Sequence, residues 1–185
     1  MRILTKSNKL LALLAVIFIP FFSQPATASQ HASTLKNLGM NEIMFAQGMM
    51  PHHQQAIEMS NLALKNGASP EVKKLAKGII SAQRKEITQL KYWLTASESS
   101  MTMDHDMGMN GMLSKSDLNA LKKLKGGKFD AAFLKAMIAH HEGALEMVSM
   151  IDDTKNSEAK KIGIDIRNGQ SSEITRMNKL LAKNK

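Results

Sequence analysis

The 185-residue chain has no cysteine, four prolines, one tyrosine and one tryptophan, and no long apolar run beyond residue 22. Each shortage excludes something. Without thiols there is no disulfide framework, and soft-metal chemistry falls to thioethers and imidazoles. With aromatics at 4% and no basic–aromatic motif, the usual signs of a nucleic-acid reader are missing. The lysines are scattered along helical sequence and read as a solvated basic face. No later stretch is long enough to span a membrane. What the chain does have is methionine: 15 residues, 14 of them after the initiator, beside six histidines. In an oxidising compartment thioethers bind soft Cu(I) without forming disulfides.

The N-terminus reads as an export signal. Arg2, Lys6 and Lys9 precede an apolar run from Leu10 to Phe22, broken only by Pro20, and Ala26-Thr27-Ala28 offers small residues for cleavage. Residues 1–28 are therefore set aside as a signal peptide, and the remaining 157 suit one domain with a proper core. The signal holds three of the 25 basic residues, so the mature chain carries about +6. That charge favours acidic partners in general. Residues 29–40 form an N-terminal extension, and 41–185 the folded unit. A periplasmic or secreted location follows, with no membrane span after cleavage.

The strongest feature is an internal repeat. Phe45 to Met59 aligns with Phe133 to Met147 at an offset of 88, with Phe, Met, His-His, Ala, Glu and Met in register. Leu75, Ile79, Gln83, Glu86, Ile87 and Thr88 then match Ile162, Ile166, Gln170, Glu173, Ile174 and Thr175 at an offset of 87. A one-residue difference in loop length accounts for the change. Two matched helices per half predict an all-α, ferritin-like four-helix bundle built from two αα-hairpins. The first helix spans about Asn41 to Lys65. The second starts at Ser69-Pro70, with serine as cap and proline at the first helical position, and reaches about Thr95. Residues 97–113 form a methionine-rich loop. Ser116 caps a short helix that Gly126-Gly127 ends. A further helix covers about Phe129 to Ile151, and Ser157 opens the last. No segment alternates with period two, so no sheet is expected.

At about 100° per residue, Met49, His52, His53, Ala56 and Met59 share one face of the first helix. Met137, His140, His141, Ala144 and Met147 repeat the arrangement. The central alanines would let the two helices approach closely, so that imidazoles and thioethers converge inside the bundle. Imidazole suits several transition metals, whereas thioether selects Cu(I). Methionine alone can be core filling, but four histidines at equivalent buried positions favour metal. Gln83 and Glu86, with Gln170 and Glu173, fall within or beside the apolar stripes of their helices. The glutamates there need partners, and could fix the imidazole tautomers or bind metal directly. Glu58 and Glu146 project to solvent. In the loop, Met101, Met103, His105, Met107, Met109 and Met112 lie among Asp, Gly and Asn that would not bury, a flexible wrap for Cu(I) or Ag(I). Cleavage after Ala28 would leave Ser29-Gln30-His31 as an amine-plus-histidine site for Cu(II) or Ni(II).

The doubled Met-x-x-His-His-x-x-Ala-x-x-Met motif, with Gln-x-x-Glu-Ile at Gln83 to Ile87 and Gln170 to Ile174, resembles the bacterial "domain of unknown function 305" family. The resemblance covers about residues 41–182 and implies an exported four-helix protein of the ferritin-like superfamily, with members tied to copper binding and resistance. The family often has methionine after the Glu-Ile pair. Met177 fits, whereas the first copy has Leu90.

The expectation is a non-catalytic copper-binding protein, Cu(I) preferred, for sequestration, resistance or delivery, with copper-efflux or copper-delivery proteins as partners. The alternatives are a ferritin-like di-metal oxidase and a structural adaptor. The Glu-x-x-His pairs of di-iron bundles are absent, since no glutamate stands three residues before any of the four histidines.

Overall fold

A computed structural model describes residues 35–66, 69–103 and 109–183. The signal segment and the N-terminal extension up to residue 34 lie outside the described residues. So do Ser29, His31, His105 and Met107.

The described residues form five helices, α1 (Met40–Lys65), α2 (Pro70–Ala96), α3 (Lys115–Lys123), α4 (Gly126–Val148) and α5 (Ser157–Lys183), with a 3₁₀ turn at Ser149–Ile151. Among the described residues there is no strand, and no helix is long and apolar enough to cross a membrane. The fold is an all-α bundle. Helices α1 and α2 pair as one hairpin, α4 and α5 as the other, and α1 packs across α4. Short α3 lies along α4.

Local chemistry sets the boundaries. Ser69 accepts the backbone N–H of Val72, and Pro70 occupies the first turn of α2, where its missing N–H costs nothing. Asp130 on α4 accepts the backbone N–H of Ser69 at 2.9 Å, tying the turn of one hairpin to the other. The cap of α3 is Ser114, which accepts from Asp117, rather than Ser116. Ser114 lies three residues before its donor, the spacing a cap needs. Gly126 does break the chain, with φ +56°, yet α4 restarts there, three residues before the expected Phe129.

The buried residues form two apolar clusters, one at each end of the bundle. One gathers Phe45, Met49, Leu90, Trp93, Ala144, Val148, Ile162 and Ile166. The other gathers Ala56, Met59, Leu75, Ile79, Phe129, Phe133, Met137 and Met177. The four histidines interrupt the apolar run of α1 and α4 between these clusters, and Gln83/Glu86 and Gln170/Glu173 do so on α2 and α5. A polar layer therefore crosses the middle of the core. Groups there must be paired or cost about 1–3 kcal/mol each.

Candidate metal centre

His52, His53, His140 and His141 are all fully buried. Ala56 and Ala144, one helical turn on from His52 and His140, are buried too and too small to hold α1 and α4 apart. As a result the rings of His52 and His140 meet with centroids 3.8 Å apart and planes tilted by 41°. His141 lies beside them, its ring 6.3 Å from that of His140.

In His141 and His52 the outer nitrogen fixes the tautomer. His141 Nε2 lies 2.8 Å from Glu173 Oε2 in hydrogen-bond geometry. A carboxylate accepts, so Nε2 carries the proton. His52 Nε2 lies 3.2 Å from the backbone carbonyl of Asn110, which can only accept, and the same inference holds. His53 Nε2 lies 2.7 Å from Glu86 Oε2, though off the line of a hydrogen bond. The His52 backbone lies beside the His140 ring without making a hydrogen bond to it. The Nδ1 atoms of all four histidines are buried with no hydrogen-bond partner among the described residues. A neutral imidazole with Nε2–H committed outward keeps its lone pair on Nδ1. Metal-binding histidines show this pattern, with a carboxylate or carbonyl holding the second nitrogen.

The layer also holds two of these rings, His52 and His140, neutral. Burial lowers the pKa of His52 from 6.5 to about 4, with the charges of His53 and His141 adding to the effect and the Asn110 carbonyl opposing it. His140 is lowered to about 2, again chiefly by burial, then by His52, His141 and His53. His52 and His140 thus stay neutral donors well into the acid range.

Gln83 and Gln170 are buried beside the layer with both side-chain amide atoms unpartnered. Met49, Met59 and Met137 are fully buried, each within an apolar cluster. Met147, the repeat equivalent of Met59, is only partly buried and faces the loop instead. Met101 is exposed, Met112 lines a shallow pocket beside α3, and Met103 and Met109 meet Met147 on the flank of the bundle. Glu58 is exposed and pairs with Lys122. Glu146 is exposed too, but it accepts the Asn110 side-chain amide at 2.6 Å. Among the described residues no three His, Asp or Glu side chains group as a metal site. Nitrogen and carboxylate donors come in pairs, so thioether or a low coordination number would have to complete any shell.

Sequence reasoning missed the residues that seat the loop. Gln47 donates to the Ser100 carbonyl, and Gln55 both donates to the Leu113 carbonyl and accepts its N–H. At the position repeat-equivalent to Gln55, Gly143 lets the Asn110 backbone lie directly on α4, where a β-carbon would overlap it. Gly111, at φ +79°, does the same against Ala139 and His140. Polar residues at solvent-facing helix positions carry no periodic signal of such a role.

Comparison with known proteins agrees with this architecture. The model of the family described as "Domain of unknown function (DUF305)" matches residues 42–181. A solved DUF305 protein from Streptomyces coelicolor is 28% identical, with a TM-score of 0.74 over 78% of this chain and 93% of that one. A DUF305 fragment from Deinococcus radiodurans is also 28% identical, with a TM-score of 0.72 over 78% and 97%. CopM in its Cu(I)-bound form is 33% identical, with a TM-score of 0.64 over 77% and 96%. CopM has also been solved in Cu(II)-bound and Ag-bound forms. No curated protein matches.

Proposed function

The chain belongs to the DUF305 family, and from that premise we propose that it is an exported copper-binding protein that holds Cu(I) at the histidine layer. The observation that carries this reading is the set of four buried, unpartnered Nδ1 atoms. Leaving so many polar atoms unsatisfied is costly, and the cost is recovered when a cation takes up the lone pairs. Soft, monovalent Cu(I) suits the donors: neutral imidazoles, with Met49 and Met137 one helical turn before His53 and His141 on the same face. Ag(I) shares this chemistry, and Cu(II) would find nitrogen donors but few hard oxygens. CopM, at 33% identity, was captured with Cu(I), and the same protein with Cu(II) and silver. Glu173 orients the ring of His141 through a hydrogen bond, and Glu86 sets its carboxylate beside the ring of His53.

The export signal at residues 1–28 supports a periplasmic or secreted location, where copper is sequestered for resistance or delivered to efflux or acceptor proteins. The test loads the purified protein with Cu(I), Cu(II), Fe(II) and Zn(II) and follows stoichiometry and oxygen consumption. Cu(I) bound without turnover is the expected result. Iron binding with oxygen uptake would instead make the protein a di-metal oxidase, and no binding at all an adaptor.

A further inference from the structure

The flank of the bundle carries a cavity of about 220 Å³ between α1, the end of α4 and the loop. Its wall holds five methionines from four segments: Met44 of α1, Met103 and Met109 of the loop, Met147 of α4 and Met150 of the 3₁₀ turn. Among the described residues, no leucine, isoleucine, valine or aromatic ring lines it. The rest of the wall is Gly48, Gly143, Asn110 and Glu146. We propose that this cavity is a second metal site, a thioether pocket that takes one soft monovalent cation, Cu(I) or Ag(I), at the loop-covered edge of the histidine layer. The proposal rests on the reading that the chain carries such ions, and adds a separate site with its own ligands.

Three observations support it. All five methionines are half-buried: Met147 and Met150 pack against the neighbouring apolar cluster, and none is free in solvent. Methionine used as filler closes gaps, whereas these side chains line a gap that stays open. The ends of three of them converge over Gly48: a β-carbon there would lie 3.0 Å from Met147 Cε, 3.5 Å from Met103 Cε and 3.9 Å from Met109 Sδ. Glycine in the middle of a helix costs about 1 kcal/mol relative to alanine, and here its absent side chain leaves room for those thioether ends. Finally, Glu146 brings a carboxylate to the wall to balance a cation, and Asn110 holds it at 2.6 Å.

The pocket also adjoins the histidines. Asn110, one of its walls, places its backbone carbonyl 3.2 Å from His52 Nε2. One residue thus touches both sites, and an ion leaving the thioethers need pass only this loop segment to reach the imidazoles.

The test is a titration with silver nitrate, because Ag(I) does not change oxidation state. Methionine methyls labelled with ¹³C are followed by NMR, and bound silver is counted by equilibrium dialysis. In the wild type, silver is expected to shift the methyl signals of Met44, Met103, Met109, Met147 and Met150 together. Met44→Leu/Met150→Leu, which conserves volume, should lose about one silver equivalent or weaken it at least tenfold, with circular dichroism unchanged. Replacing all four histidines by glutamine should leave that equivalent in place. Gly48→Leu, which fills the cavity, should abolish it. Wild-type silver binding by Met44→Leu/Met150→Leu, with no methyl shift at these five residues, would overturn the pocket and leave the histidine layer standing. Loss of the methyl shifts in the histidine variant would also overturn it, because the pocket would then not be a separate site.

Discussion

His52 and His140 stand 88 positions apart in the sequence and ring against ring in the fold, with centroids 3.8 Å apart. Two imidazolium ions could not share that space. At this separation their repulsion is about 4 kcal/mol even at an effective dielectric of 20. The pair therefore exists neutral, and burial reinforces this. Protons, the usual competitors of metal for imidazole, are kept away by the fold.

The metal-free protein is predicted to lose stability on mild acidification. Both folded pKa values lie below 6.5, so the unfolded chain takes up protons first as pH falls. The contribution is complete above about pH 6.5. It declines toward pH 4 by up to about 1.4 kcal/mol per pH unit for each imidazole. Urea unfolding between pH 7 and pH 4.5 measures the slope. His52→Gln/His140→Gln should flatten it, and an unchanged slope would show that these two rings do not titrate on unfolding.

Glu86 and Glu173 should matter although they lie at the margin of the layer. Their carboxylates sit 2.7 and 2.8 Å from His53 and His141 Nε2. Glutamine at either position weakens the orientation of its ring, and Cu(I) affinity is expected to fall about 10- to 100-fold. Competition with a Cu(I) chelator reads the change. Glu58→Gln, which touches only Lys122 at the surface, should leave affinity as it is.

Gly111 and Gly126 both have positive φ, yet they should respond differently to alanine. At Gly126 nothing lies within 4 Å of a β-carbon, and the cost is conformational, about 1–2 kcal/mol. At Gly111 the new atom would also collide with Ala139 and His140 on α4. Gly111→Ala should therefore cost more, lift Asn110 off His52, and expose the loop to protease. Equal melting temperatures for the two variants would show that the loop does not press on α4.

Much of the fold could be read from residue spacing. The repeat at offsets of 88 and 87 gives two hairpins, and the wheel that turns His52, His53, His140 and His141 inward agrees with their burial. Ser69-Pro70 marks the start of α2 because the cap and the missing N–H act locally. What escaped depends on a loop whose path no periodicity encodes. The described parts of the loop lie against one flank and so break the symmetry of the repeat: Met59 stays in the core while Met147 turns to Met103 and Met109. It also gives Glu146, an exposed position by helical spacing, a partner in Asn110.

The most direct test of the account is X-ray absorption at the copper edge on protein saturated with Cu(I). The expected spectrum shows nitrogen scattering with the imidazole signature together with sulfur, and the nitrogen contribution disappears when His52, His53, His140 and His141 are replaced by glutamine. A spectrum without imidazole scattering in the unaltered protein would contradict the histidine layer as the place where copper is held.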